Sequence, residues 1–528
     1  MAIVIAMVIG AATLFPQKMQ YFPYVVFKVS DGLQVSFLNH AQTSRDQCEK
    51  TVEGMSSAML ARCSACRVVE NKCLEALDSR QKKILNGSPV DVPVMRMPDG
   101  TVAFVATSPE LAQQICKESE RQTEQTRPGS AQCVGASSES VALSLANVSG
   151  NAISLPSPGM LLGIALFPAL VSLAIGFLIV RFDSLHSRFS HDHQTDGPQK
   201  FHAAPTPRIG GIGIAVALAG SVLVLAPLNW IKASSADGLS MLALAAIPAF
   251  AGGLAEDLTK RFGVLARLML TISAGVLASV LVSATLDRLD IPGLDMLLLW
   301  PLFAIAFTAF AVGGVANAIN IIDGYNGVAG GYAILVLGAL AWVAFQVGDS
   351  VVLAASLIMI GALLGFLAWN YPKGQIFLGD GGAYLLGFWL AELSVLLVAR
   401  NPDVSPWFPL LLLIYPIFET LFSVYRKKVL RGRSPGQPDG LHMHMMIYKR
   451  LARFGVGSKD GQIKTRRNSM VAPYIWCGTL IAIAPSIAIW RHTPALVVGA
   501  ILFCLAYLWL YFRLARLRAP KWMISRGR

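Results

Sequence analysis

Apolar residues in this chain gather into long unbroken runs. Eleven of them follow one another after residue 157, at 158–180, 209–231, 239–255, 264–286, 296–316, 328–347, 351–370, 384–399, 406–425, 471–490 and 494–512. Most approach about 20 residues, the length at which a helix crosses ~30 Å of hydrocarbon. Lipid offers no partner to backbone polar groups, so such runs predict membrane-spanning helices. A shorter apolar run at 2–15 has no basic residues before it. It predicts an uncleaved N-terminal anchor over 1–16, with a cleaved signal peptide as the alternative.

Residues 17–127 follow another pattern. Acidic and basic residues balance, and no long apolar run occurs. Residues 44–83 carry Cys48, Met55, Met59, Cys63, Cys66 and Cys73 at roughly helical spacing and predict a helix. Val92 to Met97, then Pro98-Asp99-Gly100, then Thr101 to Thr107 predict a β-hairpin. Ser108-Pro109 predicts a helix start, with serine as N-cap and proline at the first helical position. Residues 128–157 are rich in Ser, Gly and Ala and predict a linker.

Six of the eight cysteines fall between residues 17 and 155: Cys48, Cys63, Cys66, Cys73, Cys116 and Cys133. An even number in a small domain predicts disulfides and an oxidising compartment, with the pairing left open. The alternative is a metal site on Cys63-x-x-Cys66, although no histidine follows at finger spacing. Cys477 and Cys504 lie in apolar runs and read as packing residues.

Composition agrees with a membrane protein. Of 528 residues, 54% are hydrophobic and only 14% charged, where soluble chains carry about a quarter charged. A net charge of +13 would suggest nucleic acid in a soluble protein. Here Lys and Arg concentrate in loops 181–208, 256–267 and 426–470 and in the tail after 512, while loop 287–295 has Asp287, Asp290 and Asp295 against Arg288. Basic loops face the cytoplasm. The spans then begin outside and end inside, the Cys-rich region lies outside the membrane, and the partner is the lipid bilayer, with no nucleic acid. The fold class expected is an all-α polytopic membrane protein of eleven core helices plus the N-terminal anchor, carrying a small α+β Cys-rich extracytoplasmic domain.

Polar motifs interrupt the apolar pattern at the ends of the runs on the basic side. Asn317, Asn320 and Asp323 recur at i, i+3, i+6, followed by Gly324-Tyr325-Asn326-Gly327. Amides and a carboxylate on one helix face beside glycine turns suit a hard cation with phosphate, or a helix cap with a turn. Pro205-Thr206-Pro207-Arg208-Ile209-Gly210-Gly211 gives an extended approach with room for close backbone contact. Glu256 and Asp257 end the third run as a base or electrostatic pair, or as a solvated helix end. Phe377-Leu378-Gly379-Asp380-Gly381-Gly382 is a glycine-rich turn around one carboxylate. His442 and His444, two apart, share a face on a strand and read as a diphosphate grip rather than a zinc site.

These motifs, in this order and on one membrane side, resemble the polyprenyl-phosphate N-acetylhexosamine-1-phosphate transferases, a family that includes the phospho-N-acetylmuramoyl-pentapeptide transferases. The resemblance covers roughly 158–490, leaving 491–528 as an extra span and basic tail. It implies that undecaprenyl phosphate attacks the β-phosphate of a UDP-N-acetylhexosamine, releasing UMP, at the bacterial cytoplasmic membrane. It implies Mg²⁺, with Mn²⁺ as the alternative, held by Asn320 and Asp380. It implies catalytic roles for Asp257, Asp323, Asp380 and Glu256, and donor contacts from Asn317, Asn326, Phe377, His442, His444 and Arg208.

Three positions depart from the family pattern. Glu256 stands where an aspartate is usual, Asn326 stands in the second position of Asp-Gly-x-Asp-Gly, and the histidine segment lacks a run of three. The Asn326 and histidine departures point to the surface-polysaccharide branch, such as O-antigen synthesis, with the muramoyl-pentapeptide enzyme as runner-up, while the first departure bears only on whether Glu256 is essential. A transporter or a non-catalytic scaffold is the rival from another class. A periplasmic partner for 17–127 and a homodimer complete the expectations.

Overall fold

The computed structural model describes most of residues 21–134, then 158–191 and most of 205–516. The N-terminal anchor expected at 1–16 lies outside the described residues, as do 135–157. Two compact units form, Met1–Ser154 and Leu155–Arg528.

Among the described residues, the first unit shows a six-stranded sheet and two 18-residue helices. Its elements are β1 (Phe22–Lys28), β2 (Gln34–Asn39), α1 (Arg45–Arg62), β3 (Arg67–Leu74), β4 (Val94–Met97), β5 (Gly100–Val105), α2 (Pro109–Thr126) and β6 (Gln132–Val134). The strands line up as β3-β1-β2-β5-β4-β6, with every pair antiparallel. Cross-strand partners point to the same face. Val25 and Phe27 of β1 pack on α1, and Val35, Val102 and Phe104 pack on α2. The expected hairpin and the helix starting at Pro109 are present. The helix expected over 44–83 stops at Arg62. A turn and strand β3 follow, because Val68 and Glu70 pair with Phe27 and Val26 of β1 rather than continuing a helical stripe. Strand β6 falls inside the stretch expected as linker.

Three disulfides tie this unit: Cys48–Cys73 joins α1 to β3, Cys63–Cys66 closes the turn between them, and Cys116–Cys133 joins α2 to β6. The metal alternative at Cys63 and Cys66 is thereby replaced by a disulfide. Cys477 and Cys504 are free.

The second unit is helical: α3 (Pro158–Arg181), α4 (Asp183–Ser190), α5 (Gly211–Leu225), α6 (Ala233–Ala245), α7 (Ile247–Thr259), α8 (Val264–Leu281), α9 (Leu294–Leu298), α10 (Pro301–Ile322), α11 (Val328–Val347), α12 (Ser350–Asn370), α13 (Gly379–Arg400), α14 (Trp407–Leu412), α15 (Ile414–Tyr425), α16 (Met443–Arg450), α17 (Gly461–Ser469), α18 (Val471–Ala488) and α19 (Thr493–Ala515). Nine helical spans among the described residues are long and apolar enough to cross a membrane. The other two expected spans are altered. The run at 209–231 forms the 15-residue α5. The run at 406–425 breaks into α14 and α15 at Leu413. Pro416 has no N–H to give the Leu412 carbonyl. The hydroxyl of Tyr332 donates to that carbonyl instead, at 2.8 Å.

Helix α13 is the axis of this unit, packed by α5, α7, α8, α10, α11 and α12 and buried nearly end to end. Its N-terminus is where the neighbours come closest. A Cβ at Gly211 would stand 2.4 Å from the Gly382 backbone, and one at Gly253 2.5 Å from the Asp380 backbone. Glycine at both places lets α5 and α7 press directly on the first turn of α13.

Candidate active site

The first turn of α13 has no cap of its own, because Leu378 precedes it. The cap comes from α7. Asp257, buried, accepts the backbone N–H of Asp380 at 2.9 Å and of Gly381 at 2.8 Å. These are orphan donors at the positive end of the helix dipole. The segment before α5 pairs with the segment before α13. Phe377 N–H donates to Pro207 O at 2.8 Å, and Gly210 and Gly211 N–H donate to Phe377 O and Leu378 O, each at 2.9 Å. The sequence suggested a glycine turn around Asp380. In the structure that aspartate sits on helix.

This pairing delivers Arg208 to the site. One of its guanidinium nitrogens donates to Asp380 Oδ1 at 3.1 Å and lies 3.6 Å from Asp257. Asn320, in the last turn of α10, donates to the same Asp380 oxygen at 3.1 Å. Arg267, in the first turn of α8, takes the other oxygen of Asp380. Asp323 ends α10, its backbone N–H closing on Ile319 O and Asn320 O. Burial pushes its carboxyl up to about 7; Arg208 opposes that rise, and the neighbouring Asp380 and Asp257 carboxylates add to it. Three carboxylates against two guanidiniums leave a formal excess of one negative charge. No cluster of three or more His, Cys, Asp or Glu positioned for a metal is present among the described residues.

Asn326, Phe377, His442 and His444 stand on neighbouring segments. Asn326 is buried. Its backbone N–H donates to Asn468, its amide nitrogen donates to Pro372 O at 3.2 Å, and its side-chain oxygen has no hydrogen-bond partner among the described residues. Phe377 is half-buried. His442 and His444 do not lie on a strand. His442 is the N-cap of α16 and extended, and His444 is in the first turn. Their rings still stack, 5.5 Å apart and within 4° of parallel. His442 Nδ1 lies 2.9 Å from the Glu419 carboxylate. His444 packs edge-on against Tyr325, and neither of its ring nitrogens has a hydrogen-bond partner among the described residues. Burial pushes His444 down to about 3, helped by His442 and opposed by Glu419.

Two expected residues stand apart. The Asn317 amide donates to Thr271 on α8 at 3.1 Å and to Gly313 O at 2.8 Å, tying two helices inside the bundle. Glu256 accepts the N–H of Phe262 at 2.7 Å and closes the turn after α7. Adjacent helix positions face different ways, which separates it from Asp257. Arg267 and Glu419 were not anticipated. Arg267 counted only as a loop charge. Glu419 is a lone acid inside an apolar run, the kind of residue that marks a functional position in a membrane helix.

Residues 239–398 match the glycosyl transferase family 4 model. A probable undecaprenyl-phosphate N-acetylglucosaminyl 1-phosphate transferase of Bacillus subtilis is 30% identical over 264 residues, covering 49% of this chain and 70% of that protein. A decaprenyl-phosphate N-acetylglucosaminephosphotransferase of Mycolicibacterium smegmatis is 28% identical over 309 residues, covering 53% and 71%. A phospho-N-acetylmuramoyl-pentapeptide-transferase of Lactobacillus johnsonii is 31% identical over 275 residues, covering 49% and 82%.

Proposed function

This chain belongs to glycosyl transferase family 4, and from that premise we propose that it transfers N-acetylhexosamine-1-phosphate from a UDP-sugar to undecaprenyl phosphate. A phosphate oxygen of the lipid bonds to the β-phosphorus of the donor, the bond from that phosphorus to the bridging oxygen breaks, and UMP leaves with its electrons. The product opens the synthesis of O-antigen or another surface polysaccharide. The supporting observation is the convergence of Arg208, Arg267 and Asn320 on the Asp380 carboxylate, from three separate parts of the chain.

Phosphoryl transfer asks a protein mainly to position groups and neutralise charge. Arg208 and Arg267 supply guanidiniums that fit phosphate oxygens. A phosphomonoester has its second pKa near ~6, so the lipid phosphate is largely dianionic at neutral pH. Asp257 then has no proton to remove, and it holds the turn that carries Asp380. Mg²⁺ suits the donors present, being commonly held by one or two carboxylates with phosphates completing its shell. Asp380 and Asn320, with Asp323 beside them, would hold it. When bound it would offset the charge of the diphosphate. His442, held by Glu419, would steady the diphosphate, and Asn326 and Phe377 would receive the uracil.

Identity to the Lactobacillus johnsonii protein favours a second donor, UDP-MurNAc-pentapeptide. The test separates them. Purified protein is given undecaprenyl phosphate, Mg²⁺ and a panel of UDP-sugars, and released UMP is measured. One UDP-N-acetylhexosamine should work with wild type and fail with Asp380→Asn or EDTA. Turnover of UDP-MurNAc-pentapeptide alone would shift the reading to the second donor. Folded protein active on no donor would remove the reaction.

A further inference from the structure

Helix α19 lies past residue 490, beyond the segment on which the resemblance rests. Its buried positions include Tyr507, Tyr511 and Leu514, one stripe at i, i+4, i+7. The two tyrosine rings lie 6.3 Å apart and nearly parallel. Each hydroxyl meets a buried charged residue that holds the histidine segment. Tyr507 donates to Glu419 Oε2 at 2.6 Å. The same carboxylate binds His442 Nδ1 at 2.9 Å and accepts the Met443 N–H at 2.9 Å. Tyr511 accepts from Arg426 at 3.0 Å, and Arg426 pairs with Asp439, three residues before His442. The Arg426 guanidinium also lies over the rings of Phe422 and Tyr511, at 5.5 and 5.3 Å.

We propose that α19 is a positioning element of the active site. Tyr507, through Glu419, fixes the ring orientation of His442. Tyr511, through Arg426 and Asp439, fixes the path of the chain leading to it. The inference rests on the reading above, in which His442 meets the donor diphosphate. A carboxylate at Nδ1 makes that nitrogen the donor and leaves Nε2 as the atom offered to a ligand. Packing alone does not call for the hydroxyls. Phe418 and Phe422 already meet the Tyr507 ring edge-on, at 5.1 and 6.0 Å, and phenylalanine would fill the same space. What the hydroxyl adds is an acceptor satisfied inside the protein, and a buried carboxylate with a bare lone pair relaxes its geometry.

The test uses the full chain in detergent with Tyr507→Phe, Tyr511→Phe and, as control on the same helix, Trp509→Phe, whose side chain is exposed. Two readouts are taken. The first is kcat and KM for UMP release with the best donor of the panel. The second is hydrogen–deuterium exchange of the peptide spanning 439–450, which needs no turnover. Tyr507→Phe should lower kcat about tenfold with KM within about twofold of wild type, the signature of lost transition-state positioning. Both tyrosine variants should speed exchange of that peptide, and Trp509→Phe should change neither readout. Tyrosine variants equal to wild type in both readouts would overturn the inference, as would a fall in kcat that only tracks a fall in folded protein. If wild type itself releases no UMP, the proposed reaction fails on its own. Exchange then decides: faster exchange in the tyrosine variants supports α19 as the support of that segment, and unchanged exchange overturns it.

Discussion

Glu392 sits midway along α13, fully buried, and neither of its carboxyl oxygens has a hydrogen-bond partner among the described residues. A buried polar group left unpaired costs about 1–3 kcal/mol. Replacing it with an apolar side chain of similar volume removes that cost. Glu392→Leu should therefore raise the thermal midpoint in detergent without lowering UMP release. A midpoint equal to or below that of wild type would show that the carboxyl has a partner it needs. His444 and Asp323 predict opposite responses to acid. His444 is held neutral down to about 3, well below its ordinary value. Between those values the unfolded chain binds a proton that the folded one does not, so stability falls as pH falls. Asp323 titrates near 7 in the fold, above its ordinary value. There the folded chain holds the extra proton, and stability falls as pH rises. His444→Gln should thus lose less stability than wild type on acidification from about pH 6.5. Asp323→Asn should lose less on raising the pH from about 4 to 7. Thermal midpoints across pH read both, and slopes parallel to wild type would contradict the assignment.

At the scale of elements, the break between α14 and α15 gives a simple test. Tyr332→Phe removes the hydroxyl that serves the Leu412 carbonyl and should cost about 1–3 kcal/mol of stability. Circular dichroism melts would detect it, and an unchanged melt would mean another group takes the carbonyl. The apolar runs were readable because lipid-spanning length is a local property. The breaks were not, since Leu413 is set by one proline and by a tyrosine 80 residues away in sequence. Strands β1 and β2 were legible in principle, since Asp31-Gly32 between the two apolar stretches is a hairpin turn pair and the strands do pair antiparallel, from Tyr24 with Leu38 to Lys28 with Gln34. In the site, Arg208, Asp257, Asn320 and Asp380 could each be suspected from residue type and place. Their grouping on one carboxylate could not, because it depends on the capping of α13 by α7 and on the pairing of 207–211 with 377–378. Spacing misled at His442 and His444. A residue two positions on shares a strand face, but an extended N-cap followed by a helical turn stacks the same two rings.

The molecule as a whole divides its stabilising devices between its two units. The sheet unit carries all three disulfides, and losing one from a small domain costs about 2–5 kcal/mol. The helical unit has only free cysteines. Dithiothreitol should therefore loosen the sheet unit, seen as protease cleavage within 22–134, while UMP release continues. Loss of turnover in step with that cleavage would show that the two units depend on each other. The pairing that brings Arg208 to Asp380 spans 172 residues of chain. At about 5–20 residues per second of synthesis, the arginine emerges roughly ten to thirty seconds before its partner exists. The cluster around Asp380 is thus completed late in translation. A ribosome stalled anywhere before α13 leaves a fragment in which Arg208, Asp257 and Asn320 have no Asp380 turn to gather on.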